Sequence, residues 1–98
     1  MNAETIQRIV SEYFKSQPVE RAWLFGSFAR GEETPWSDVD ILVQYADDGI
    51  SLLKHAAMIC ELEKILKRQV DIVEDGMLLP FARESANRDK RLIYERAN

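Results

Sequence analysis

Residues 26–43 read GSFARGEETPWSDVDILV, and this stretch decides the fold because it passes from turn to helix to strand within eighteen positions. Gly26 and Ser27 make a turn at the end of an apolar run, and SFARG supplies one or two helical turns ended by Gly31. The loop EETPWS follows, where Pro35 cannot continue a helix. From Asp38 onward the chain alternates. Val39, Ile41 and Val43 face one way and Asp38, Asp40 and Leu42 the other, which is the two-residue period of a strand.

The flanks complete the pattern. Upstream, RAWLF (Arg21 to Phe25) is a short apolar run suited to a strand buried on both faces. Before it, Glu4 to Lys15 carries Ile6, Ile9, Val10, Tyr13 and Phe14 on one helical face, with Asn2 as its cap and Pro18 beyond its end. Downstream, Ser51 to Lys67 repeats apolar residues at Leu52, Ala56, Ile59, Leu62 and Leu66 without a proline or glycine, which predicts the longest helix. QVDIV reads as a third strand, EDG as a turn, and LLPFARESAN as a fourth helix with Pro80 in its first turn. RLIYE suits either a last short strand or more helix. The order α-β-(short α)-β-α-β-α predicts an α/β (α+β) fold, a small mixed three- to four-stranded sheet packed against helices.

Composition narrows the class. The chain has 98 residues, 46% apolar and 31% charged, as expected of one globular domain spanning 1–98. No run of about 18 apolar residues suggests a membrane span, and the polar start suggests no signal peptide, so a cytoplasmic location is expected. The net charge of −4 argues against bulk nucleic acid as a partner, although a small phosphate ligand held through metal ions stays compatible. Cys60 is the single cysteine, so no internal disulfide forms, and its helical position predicts a small buried apolar side chain.

The polar residues of the opening stretch can act together. Asp38 and Asp40, two apart on a strand, project from one face and can share a hard cation. Asp71, central in QVDIV, is expected on the same face and buried, where an unpaired charge is costly. Magnesium answers that cost, because it takes oxygen ligands and is commonly held by a few carboxylates together with substrate phosphates. Gly26 lets a phosphate approach the backbone and Ser27 can donate to its oxygens, so the set reads as a nucleoside triphosphate site. Arg30 either contacts phosphate or pairs with one of the acids. Trp36 is expected to pack on the domain surface, the alternative being a stack on a base. Lys67 and Arg68 are explained by the dipole of the helix they end, and His55 as an ordinary helical histidine.

In combination these residues resemble the signature of the minimal nucleotidyltransferase (MNT) domains of the DNA polymerase β-like superfamily. The serine of the G-S pair is separated by ten residues from D-x-D, with Ala29-Arg30-Gly31 after Ser27 and a third acid, Asp71, on a later strand. The resemblance covers nearly the whole chain. It implies the nucleotidyltransferase fold, with Gly26 and Ser27 on the terminal phosphates of ATP; Arg30 stays a candidate for the same phosphates, the alternative being an ion pair with one of the acids. Asp38 and Asp40 would bind two magnesium ions, and Asp71 would complete the metal site and help deprotonate the acceptor hydroxyl. The implied reaction transfers a nucleoside monophosphate, AMP from ATP, to a hydroxyl and releases pyrophosphate, chemistry that a two-metal carboxylate site serves without a covalent intermediate.

The sequence ends 27 residues after Asp71, too few for an acceptor-binding domain, so the acceptor is expected at a homo-oligomer interface or on a second protein. The resemblance favours a HEPN-domain partner, with this chain as antitoxin in a toxin-antitoxin pair. Two alternatives stay open: a non-catalytic antitoxin that inhibits its HEPN partner by contact alone, or a catalytic subunit for a small hydroxylated molecule such as an aminoglycoside.

Overall fold

A computed structural model describes residues 2–34, 36–46, 50–75 and 88–97. Helix α1, Ala3–Phe14, opens where the Asn2 side chain accepts the Thr5 N–H at 2.8 Å, and it buries Ile6, Val10 and Phe14. Strand β1, Val19–Phe25, starts two residues before the expected Arg21. An irregularity between Val19 and Arg21 lets Val19 pair with Tyr45 and turn into the core, which simple alternation does not foresee. Helix α2, Ser27–Arg30, is a single turn ended by Gly31 in the left-handed region (φ 71°). Strand β2, Val39–Tyr45, leads to helix α3, Leu52–Leu66, capped by the Ser51 side chain on the Lys54 N–H. Strands β3, Val70–Glu74, and β4, Arg91–Glu95, follow, so RLIYE is a strand.

The four strands run in the order β3-β2-β1-β4. β1 is antiparallel to both β2 and β4, while β2 and β3 are parallel. A parallel pair needs a crossover, and α3 is that crossover. The sheet is therefore mixed, as expected, and its fourth strand comes from the C-terminal segment. Alternation sends Ala22, Leu24, Val39, Ile41, Val43, Val70 and Ile72 to one face, where they pack with the buried residues of α1 and α3 in one core. Asp40, Leu42, Trp23 and Asp71 belong to the opposite face by the same alternation, and Leu42 is fully buried there.

The packed face of α3 agrees with the expected one at Leu62 and Leu66, with Ile59 packed against the core, and departs from it toward the helix start. Met58, Leu62 and Leu66 are buried, whereas Leu52 is 83% exposed and Ala56 is exposed too. This helix carries apolar residues nearly all round, so more than one set satisfies the three-to-four spacing and the sheet alone selects among them. The same rotation puts Cys60 on the exposed side, against the expectation of a buried thiol. The fourth helix expected in LLPFARESAN lies outside the described residues.

Candidate active site

The site is built where β1 ends beside the start of β2. Phe25 pairs with Asp40 across the two antiparallel strands, which brings the turn after Phe25 against the Asp40 side chain. Gly26 takes φ 70° and ψ −149°, a region closed to side-chain-bearing residues. A Cβ placed on Gly26 would stand 2.5 Å from Asp40 Oδ2 and 3.3 Å from its Cγ, so the carboxylate occupies the space that the missing side chain leaves. Ser27 opens α2 directly after this contact, and among the described residues its hydroxyl makes no hydrogen bond. The glycine-serine turn and the aspartate strand, twelve or more positions apart in sequence, thus meet at Asp40.

Asp40 pairs in register with Asp71 on the neighbouring parallel strand, and Asp38 stands just before β2 begins. Burial and the neighbouring Asp71 and Asp38 carboxylates push the Asp40 carboxyl up from 3.8 to about 6, with Arg30 opposing them. Asp71 itself is exposed, contrary to the expected burial, because β3 is an edge strand of the sheet. Asp38 is also exposed. Among the described residues no group of three or more His, Cys, Asp or Glu side chains is close enough to hold a metal ion alone. The donor set nonetheless fits a hard cation, since magnesium is held by one or two carboxylates together with substrate phosphates and waters. A half-buried carboxylate facing two like charges is compatible with such a partial ligand set.

Arg30 pairs with acids other than the three above. Its guanidinium lies 3.3 Å from Glu32 and 3.6 Å from Asp89, an acid to which neither spacing nor motif pointed. Arg68 is the second residue that sequence reasoning missed. Beyond ending α3, its Nη1 donates to the carbonyls of Ser37 (3.2 Å) and Thr34 (3.5 Å), and its guanidinium lies over the Phe28 ring at 5.4 Å. Those carbonyls belong to a turn in which Ser37 N–H donates to Thr34 O and Thr34 N–H to Ser37 Oγ. Trp36 projects from this turn 87% exposed, so it does not pack on the domain surface. His55 bonds the Tyr45 hydroxyl at the other end of the sheet, beside a cavity of about 380 Å³ that none of the three acids lines.

With this geometry in view, the nucleotidyltransferase domain family matches residues 3–97. The chain belongs to that family, and its class of activity is nucleotidyl transfer. It is 36% identical over 84 residues to the "Putative protein adenylyltransferase MJ0435" of Methanocaldococcus jannaschii, covering 86% of this chain and 89% of that protein. A second protein of that organism, "Putative protein adenylyltransferase MJ1379", is 34% identical over 90% of this chain and 85% of its own length. Among solved structures, a "putative minimal nucleotidyltransferase" superposes with a TM-score of 0.76 at 36% identity, over 93% of this chain and 95% of that one. The fold is also that of a chain in the complex of a tri-AMPylated Shewanella oneidensis HEPN toxin with its MNT antitoxin. There the TM-score is 0.72 at 16% identity, over 96% of this chain and 73% of that one.

Proposed function

We propose that this chain is a magnesium-dependent protein adenylyltransferase that moves AMP from ATP to a hydroxyl of a HEPN-domain partner and so acts as its antitoxin. The observation that carries the reading is the meeting at Asp40: Gly26 beneath its carboxylate, Asp71 beside it in register and Asp38 two residues before it. Identity to relatives named protein adenylyltransferases supports a protein acceptor. The shared fold with chains of toxin-antitoxin complexes, one of them holding AMP-PNP, supports the HEPN partner and ATP.

In this reading Asp38 and Asp40 would hold two magnesium ions, with Asp71 completing the set. When bound, such ions neutralise the triphosphate and the charge that develops on it during transfer. The Gly26-Ser27 turn would take the terminal phosphates, with the Ser27 hydroxyl donating to a phosphate oxygen. Arg30 adds a positive charge at the rim when it exchanges a carboxylate for a phosphate oxygen. Asp71, exposed on the edge strand, is open to an acceptor and takes the hydroxyl proton. The acceptor oxygen forms its bond to the α-phosphorus as the bond from that phosphorus to the β-phosphate bridging oxygen breaks, and pyrophosphate leaves with the electron pair.

The test is to incubate the protein with α-labelled ATP, magnesium and a candidate HEPN-domain partner, and to repeat this with Asp38→Asn/Asp40→Asn. Label on the partner that disappears with the double substitution supports the reading. No label, with inhibition of the partner that survives the substitution, replaces it with a binding antitoxin.

A further inference from the structure

We propose that Arg68 is a positioning residue of the active site, fixing the backbone on which Asp38 is presented; this rests on the function proposed above. Asp38 is exposed and precedes the first strand residue, and among the described residues its side chain makes no hydrogen bond or ion pair that would hold it. Its backbone is held instead from both sides by one short segment. The carbonyl of Ser37, which belongs to the peptide group on the N-terminal side of Asp38, accepts from Arg68 Nη1 at 3.2 Å. The N–H of Val39, which belongs to the peptide group on the C-terminal side, donates to the carbonyl of Gln69 at 2.9 Å. With both peptide groups anchored, the two backbone torsions of Asp38 are set.

The geometry of α3's end makes this grip possible. Lys67 turns into the left-handed region (φ 56°), and the chain then enters β3, whose Val70 N–H donates to the Glu63 side chain. Arg68 is thereby aimed at the Thr34 and Ser37 carbonyls rather than along the helix. The same guanidinium covers Phe28, a buried residue that follows Ser27 in α2. One side chain therefore spans the phosphate half of the site and its carboxylate half. A lysine cannot do both, because it lacks the planar fork that stacks on a ring while donating at its edge.

The outer partners of metal ligands commonly change metal affinity about 10- to 100-fold when removed. The test is calorimetric titration of ATP with manganese present and with chelator instead, for the wild type, Arg68→Ala, Arg68→Lys and Asp38→Asn, together with amide hydrogen exchange. Arg68→Ala is expected to weaken manganese-dependent ATP binding about 10- to 100-fold. Binding in chelator stays unchanged, Arg68→Lys falls between, and exchange rises at residues 34 and 36–39 alone. If Arg68→Ala does not fold, Arg68→Lys carries the comparison. Wild-type affinity in the Arg68 variants, or a loss equal with and without metal, overturns the positioning role. Failure of the wild type to bind ATP in a metal-dependent way, or an Asp38→Asn protein that binds normally, overturns the proposed function and this role with it.

Discussion

Gly26→Ala tests the join between the two halves of the site. Gly26 sits at φ 70° and ψ −149°, and holding a side-chain-bearing residue there costs about 1–3 kcal/mol. The new methyl group would also stand 2.5 Å from Asp40 Oδ2. That oxygen is the far end of a rotatable side chain, so the clash is relieved by swinging the carboxylate off its preferred rotamer, for about 0.5–1.5 kcal/mol more. The expected loss is thus roughly 2–4 kcal/mol in urea unfolding, with nucleotide transfer abolished because the carboxylate has moved. The two contributions separate in an Asp40→Ala background, where the clash is gone and the backbone strain stays, so Gly26→Ala should still cost about 1–3 kcal/mol. A loss below about 0.5 kcal/mol in the wild type, or one that vanishes in the Asp40→Ala background, refutes the strained-turn reasoning.

Asp40→Asn should raise stability while removing activity. The folded protein binds the Asp40 proton more tightly than the unfolded chain does (about 6 against 3.8), so wild-type stability falls as pH rises through that window. The shift corresponds to about 3 kcal/mol, which the half-exposed setting reduces to about 1–2 kcal/mol. Urea unfolding of the metal-free proteins should show this gain at pH 7.5 and almost none below pH about 4; an equal gain at both contradicts the electrostatic origin. Leu62→Ala should cost about 2–5 kcal/mol, while Leu52→Ser, on the exposed side of α3, changes stability by less than about 0.5 kcal/mol. Similar losses at both positions would contradict the observed face. Lys67→Gly should leave the protein as stable or more so, by under about 1 kcal/mol, since Lys67 holds a left-handed cap conformation that glycine adopts freely. A marked loss in thermal unfolding would contradict that.

What the sequence discloses follows the range of the interactions involved. The caps, the single-turn helix after Gly26 and the alternation through Asp38–Tyr45 are local, and they appear where the spacing puts them. The meeting of Gly26 with Asp40 is long-range; their chemistry and spacing join them in the sequence, while the antiparallel pairing of β1 with β2 that brings them together is seen only in the fold. Three features were not legible. Asp71 looked central within QVDIV, but its exposure depends on which strand lies at the edge, and that is a property of the whole sheet. The N-terminal half of α3's packed face could not be chosen because the helix is apolar nearly all round, whereas Leu62 and Leu66 are buried as expected. Arg68 reads as a charge at a helix end until the left-handed Lys67 redirects it onto the Ser37 carbonyl, and no periodicity signals that turn.

The claim on which the rest depends is that the glycine-serine turn and the three aspartates form one triphosphate and metal site. Calorimetric titration of ATP into the wild type, Asp40→Asn and Asp71→Asn, each with magnesium and with chelator, addresses it most directly. Binding that requires magnesium in the wild type and is lost in both variants is the expected result. ATP binding of equal strength without magnesium, or untouched by either substitution, would contradict it.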